Sequence, residues 1–355
     1  MTTLSFSHSR NIAKLLTAIS VLSFATPSIA AEGMGPRPDD HAPSGIMYDH
    51  MHKAGEFMIG YRYMYDHYGS TMLKGRKEAD DSVLAAAGFS STADKMTMRM
   101  HMLDIMYAPT DWVTLMVMPM FMSMDMSMRD VAGAAGGGHG GHGGGHAGPH
   151  SQSTSGLTDT ILAGLFRLHE SEQDRLIFTA GMSAPTGSVN QKGSDGRFNH
   201  YMMQLGSGTW DFLPSLTYTA RGETWSWGGQ LGATYRFAQF NKSGFRFGNR
   251  FYATAWGSYS LTNWLSASLR GIYSQQGAIE GHYNGAHNHS APPDLQANYG
   301  GRFFDVGFGV NAVVPEGTLS GIRMGVEWLQ PVSQNVNGFQ QQRTGTLFFT
   351  LSKAL

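Results

Sequence analysis

The sequence predicts an all-β chain, a transmembrane antiparallel β-barrel of about twelve strands with short periplasmic turns and long extracellular loops. Three observations predict it. Apolar residues recur with a period of two along most of the chain, and the links between those segments alternate short and long. No segment beyond the N-terminus is apolar for the roughly 20 residues that a bilayer-spanning helix needs. Lipid offers no partner to a bare backbone N–H or C=O, so a chain that crosses it without such helices must close a sheet on itself.

The period is clearest in five segments. Phe57, Ile59, Tyr61, Tyr63 and Tyr65 alternate with Met58, Gly60, Arg62, Met64 and Asp66. Trp227, Leu231, Ala233, Tyr235 and Phe237 alternate with Gln230, Thr234 and Arg236. Leu265, Ala267, Leu269 and Tyr273 alternate with Ser266, Ser268 and Arg270, and Phe304, Val306, Phe308 and Val310 with Asp305, Gly307 and Asn311. Ile322, Met324, Val326 and Trp328 alternate with Arg323 and Glu327. Twelve strands follow, near 56–67, 95–108, 111–125, 156–169, 174–185, 204–220, 224–238, 246–261, 263–276, 300–314, 319–331 and 339–353. Links after even-numbered strands are short, as at Ala108-Pro109-Thr110 and Leu261-Thr262-Asn263. Long links near 68–94, 126–155, 186–203 and 277–299 fall on the opposite side. Trp112, Trp225, Trp264 and Tyr107 flank short turns, where an amphipathic ring suits the membrane–water boundary. Leu347, Phe349, Leu351 and Leu355 share one register of a closing strand.

The chain divides into three parts. Residues 1–30 read as a secretory signal peptide: Arg10 and Lys14, an apolar run from Leu15 to Ala25, then Pro27, Ser28 and Ala30 before a cleavage point. Residues 31–55, rich in Gly, Pro, Asp and His, read as a periplasmic lead-in or a plug segment, and 56–355 as the barrel with a His/Gly-rich loop at 133–150. The expected location is the outer membrane of a Gram-negative cell, with lipid as a partner. There is no cysteine, which excludes disulfides and thiolate metal sites. With 25 basic and 26 acidic residues the chain carries no excess charge for a nucleic-acid partner. Oligomeric state, a homo-oligomer included, stays open.

Gly156-Leu157-Thr158-Asp159 opens one strand, Pro185-Thr186-Gly187 ends the next, and Gly206-Ser207-Gly208-Thr209-Trp210-Asp211 opens the one after. In these pieces and their order the chain resembles the outer-membrane transporter family labelled for the meta-pathway of phenol degradation. That resemblance implies an outer-membrane channel for small hydrophobic or aromatic solutes. The enrichment in Met and His departs from the usual pattern of the family.

If the apolar registers face lipid, the pore receives Arg62, Asp66, Arg236, Arg270, Asp305, Arg323 and Glu327. Met96, Met98, Met100 and Met102 share one register of the second strand, and Met116, Met118, Met120, Met122, Met124, Met126 and Met128 one register of the third. A short turn joins these strands, so the rows should lie side by side. Thioethers are soft ligands that select Cu(I) or Ag(I), though a Met row also serves as adaptable packing. His139, His142, His146 and His150 stand in the Gly-rich loop, His282, His287 and His289 in another, and Asp49, His50, Met51 and His52 before the first strand. Imidazole takes Cu(II), Zn(II) or Ni(II); a solvated, inert loop is the plainer reading. No phosphate loop, no helical His-Glu-x-x-His and no Ser paired with His101 marks an enzyme. The expectation is a non-enzymatic channel or transporter that requires no cofactor and handles copper or silver ions, with an aromatic-solute channel and a non-conducting metal-binding barrel as alternatives.

Overall fold

The computed structural model describes residues 37–75, 79–134 and 150–355. Twelve strands form one antiparallel sheet: β1 (Phe57–Leu73), β2 (Ser91–Thr110), β3 (Val113–Met118 continued by Met120–Asp130), β4 (His150–Leu157 continued by Thr160–Glu170), β5 (Asp174–Ala184) and β6 (Asp211–Arg221), then β7 (Trp225–Arg236), β8 (Arg250–Ser260), β9 (Leu265–Gln276), β10 (Gly301–Val313), β11 (Arg323–Val336) and β12 (Phe339–Ala354). Each pairs with its sequence neighbour, and β1 pairs with both β2 and β12. The sheet is therefore closed, with no edge left unpaired. At the seam Phe57 and Leu355 exchange backbone hydrogen bonds, so the two ends of the barrel chain meet on the periplasmic side.

The outer surface is the apolar register. Ile59, Leu103, Leu115, Val117, Phe121, Leu231, Leu269, Phe308, Val310 and Trp328 are all exposed, as a lipid-facing band demands. Trp112, Trp225, Tyr259 and Trp264 stand exposed beside the short turns at one end of that band. Towards the extracellular end of β2 and β3 the outer face turns polar, with an Arg99–Asp125 ion pair at 3.1 Å. These strands therefore run on beyond the hydrocarbon.

Several strand ends differ from expectation. β1 continues to Leu73, paired with β12, and β2 begins at Ser91, paired with β3, because these ends rise into the extracellular medium, where strand length is not limited by membrane thickness. Residues 204–210, expected in a strand, instead form a loop: Leu205 and Ser207 bond to Ser188 and Asp159 outside the ladder. Residues 246–249 likewise leave β8, and Phe245–Arg246 pair with Glu280–Gly281 as a two-residue ribbon. β11 starts at Arg323 rather than 319, after a turn in which Gly317 and Gly321 adopt positive φ. A short helix, Asp81–Ala86, lies in the first long link and buries its own Leu84.

If the exposed register faces hydrocarbon, Leu269→Arg lowers unfolding free energy in vesicles by about 2–4 kcal/mol when it lies near the midplane. Urea titration in lipid vesicles checks this; an unchanged midpoint would place Leu269 outside the lipid band.

Candidate functional site: the lumen and its two closures

The inward register of β1 to β3 is a wall of thioethers. Alternation puts Met96, Met98, Met100 and Met102 of β2 on the inner face, and all the even-numbered methionines from Met116 to Met128 of β3 with them. Cross-strand register pairs the rows directly: Met96 with Met126, Met98 with Met124, Met100 with Met122, Met102 with Met120 and Met106 with Met116. Met58 and Met64 of β1 extend the wall opposite Met106 and Met100. Pro119 has no N–H to give the ladder, which splits β3 without changing its register. The wall's lower part packs against Tyr48 and Met51, and its upper part against Met203, Leu205 and Ala291. Met64, Met98, Met100 and Met120 between them are only partly buried.

The lower closure is the segment from Arg37 to Glu56. It runs inside the barrel, and strand side chains catch its backbone. Ser266 and Ser226 donate to the carbonyls of Pro38 and Asp39, Asn311 to that of His41, and Gln230 to that of Met47. Arg62 donates to the carbonyls of Ser44 and Ile46. The tightest grip is at Gly45, whose N–H donates to Glu327 Oε2 at 2.6 Å while that carboxylate accepts from Arg270 at 3.1 Å. Glu327 is 0% exposed. A Cβ on Gly45 would lie 2.6 Å from Arg270 Nη1 and 2.8 Å from Glu327, so any larger residue would have to displace that ion pair.

The upper closure is built from the long loops. Tyr283 stacks on Tyr201 at 4.3 Å and on Phe198 at 4.2 Å between ring centroids, with Phe245 edge-on to both tyrosines. The three short pieces that carried the family resemblance converge at its rim. Asp159 accepts from the N–H of Gly187 at 2.9 Å and of Ser207 at 2.7 Å, and Thr186 donates to the carbonyl of Thr158. A Cβ on Gly206 would stand 2.4 Å from Asp159 Oδ1. These residues latch the 185–210 loop to the top of β4.

All seven of the charged residues expected in the pore point inward, and each is engaged. Arg270 pairs with Glu327, Arg236 with Asp211 and Asp305 with Arg343. Asp66 accepts from Thr346, Arg323 lies 3.6 Å from Asp40, and Arg62 lies 4.0 Å from Asp104. Sequence reasoning named neither Arg343 nor Arg250 for the lumen. Arg250 sits on the inward register of β8 with Tyr252 and Thr254, opposite Phe251 and Tyr259, which is the signal that would have found it, whereas Arg343 has the parity of outward Leu347 and Phe349 and turns inward only through the irregularity that sets it opposite Tyr68. Arg250 stacks over the Tyr252 ring at 5.7 Å and, among the described residues, has no carboxylate within ion-pair distance.

The histidines fall in separate places. His139, His142 and His146 lie outside the described residues, and the backbone of His150 pairs with Met128 at the start of β4. His282, His287 and His289 stand in the upper loops, with the last two rings 4.4 Å apart. His101 faces outward and its Nδ1 bonds the Tyr61 hydroxyl at 2.7 Å. His41, His50 and His52 are brought together in the lower closure. The His50 ring lies 4.1 Å from His41 and 5.2 Å from His52. Burial holds His41 well below the ordinary histidine range and lowers His52 to about 4, so both imidazoles are neutral near pH 7.

A closed twelve-stranded barrel with an apolar exterior, a Trp-flanked periplasmic rim and an occupied lumen defines an outer-membrane β-barrel protein. Residues 121–324 match the family described as "Putative MetA-pathway of phenol degradation", and the chain belongs to that family. Among solved structures, an outer membrane channel from Pseudomonas putida F1 superposes with a TM-score of 0.56 at 16% identity, over 87% of this chain and 98% of that one. A FadL homologue from Pseudomonas aeruginosa aligns with a TM-score of 0.42 at 10% identity, over 84% of this chain and 90% of that one. No curated protein matches significantly.

Glu327→Gln removes the partner of buried Arg270. It is expected to lower stability by about 3–5 kcal/mol and to loosen the lower closure, read as a lower urea midpoint together with faster proteolysis near Gly45. Asp159→Ala leaves the N–H groups of Gly187 and Ser207 unpaired, at about 1–3 kcal/mol each. Limited proteolysis should then cut within 185–210 at least several-fold faster while the barrel core stays resistant.

Proposed function

We propose that this protein is a gated outer-membrane channel that takes soft metal ions, Cu(I) or Ag(I), along its methionine wall. The observation that carries the reading is the register of the two Met rows, paired side by side on the inner face. Thioether sulfur is soft and uncharged, and it binds Cu(I) or Ag(I) in preference to hard cations. Successive sulfurs along one strand face would offer a series of weak, exchangeable sites, and multi-site binding of that kind lets an ion move on. Simple filling of space would favour Leu or Ile, because ordering a Met side chain costs about 1.5–2 kcal/mol against about 0.5–1 for the branched residues. The lower and upper closures lie across the path and supply the gate.

A second reading, a channel for small aromatic solutes, is supported by the family description and by Arg250. Thioethers also pack well against aromatic rings. A lumen-facing guanidinium without a carboxylate partner suits an anionic ring such as a phenolate. Neither reading assigns catalysis to the chain.

Single-channel conductance of refolded protein in planar bilayers tests the first reading. Silver at micromolar levels should block or reshape stepwise currents, and replacing Met116, Met118, Met120 and Met122 with Leu should abolish that response. Currents indifferent to silver but altered by phenolate, and changed by Arg250→Gln, would move the assignment to aromatic solutes. Absence of current in every condition would make the barrel a non-conducting metal binder at the cell surface.

A further inference from the structure

We infer that His41, Asp49 and His50 form a divalent metal site inside the lower closure, with copper(II) favoured over zinc(II). One ligand atom from each of the three residues lies within 4.8 Å of the others. A tetrahedral ion bound at about 2.0–2.2 Å needs donor atoms about 3.4 Å apart, a difference that small side-chain rotations close.

The second coordination sphere is already arranged. Metal-binding histidines characteristically give one ring nitrogen to a carboxylate and the other to the ion. The His50 Nδ1 bonds Asp49 Oδ1 at 2.9 Å, and its Nε2 is buried with no partner. His52 repeats the pattern: Nδ1 lies 3.5 Å from Glu56, and Nε2 is buried and unpartnered. Orphaned buried nitrogens of this kind cost free energy unless something binds them. A cavity of about 40 Å³ adjoins His41, Asp49 and His50. It is large enough for a water or an ion.

The charges around the cavity are compatible with a cation. Arg62 and Arg323 also line it, but Arg62 faces Asp104 and two carbonyls, and Arg323 faces Asp40 and the Arg37 carbonyl. Asp49 is the carboxylate there that has no arginine within ion-pair distance among the described residues; it accepts from Ala42 N–H and from His50. Imidazole favours copper(II) among the common divalent ions, and Met58 lines the same cavity with a thioether. An ion held by residues 41, 49 and 50 would staple the segment across its own turn. The inference is independent of metal conduction: a barrel that passes no metal still carries the site.

The test uses full-length refolded protein in detergent, with His139, His142, His146 and His150 changed to Gln to remove the loop's own ligands. Copper(II) chloride should bind with one ion per chain and give an electron paramagnetic resonance spectrum with nitrogen splitting. In that background His41→Gln with His50→Gln should weaken binding at least tenfold. Unchanged copper binding in the double variant overturns the site, and zinc(II) bound more tightly than copper(II) overturns the preference. Should the double variant not fold, copper with ascorbate decides on the unsubstituted chain. Oxidation mapped by mass spectrometry to the peptides carrying His41, His50 and Met58 supports the site, and oxidation confined to the loop peptides overturns it.

Discussion

Every backbone N–H and C=O of a segment inside lipid must find its partner within the protein, and in this chain that requirement is met by β1 bonding β2 on one side and β12 on the other. Closure of the sheet then divides each strand into a face for lipid and a face for the lumen, because side chains alternate. A one-residue slip would turn the Met rows outward and bring Leu115, Val117 and Phe121 inside. The register seen, Met102 opposite Met120 and Met96 opposite Met126, is thus enforced by the lipid as much as by the ladder.

The same closure creates an interior that must be filled or hydrated, and the chain fills most of it. Residues 37–56 enter from below and the long loops fold over from above. Each is held by polar side chains to backbone groups, as at Gly45 with Glu327 and at Asp159 with Gly187 and Ser207. Such bonds are individually modest, about 0.5–1.5 kcal/mol each, and more when one partner is charged. Closures made this way are secure when all bonds are present and can be opened by losing a few. The lower one also brings together the imidazoles and the carboxylate that the metal inference uses, so gating and metal binding would share one structural element.

Much of the barrel was legible in period alone. The apolar face of strands such as 265–273 and 304–310 marked the lipid side, and the opposite register assigned Arg62, Arg270, Asp305 and Glu327 to the other face. The alternating link lengths ordered the strands. Strand ends were less legible. The residues around 68–73, 91–94 and 204–210 lie above the hydrocarbon, where no lipid selects one face and the apolar signal fades. The polar outer face around Arg99 and His101 obscured the orientation of the second-strand methionines for the same reason.

The sequence by itself determined the alternation, the strand number and which residue types line each face, since these follow from local periodicity and the demands of lipid. Only the tertiary structure decided what those faces meet. That Met51 packs on the lower methionines, that Gly45 reaches a carboxylate 282 positions away, and that His41 and His50 share a cavity with Met58 all depend on a segment threaded through a closed ring. A contact of that kind leaves no period in the chain. It arises because closing the barrel makes a space, and the residues that enter it are chosen by shape and by unpaired hydrogen-bonding groups rather than by neighbours in sequence.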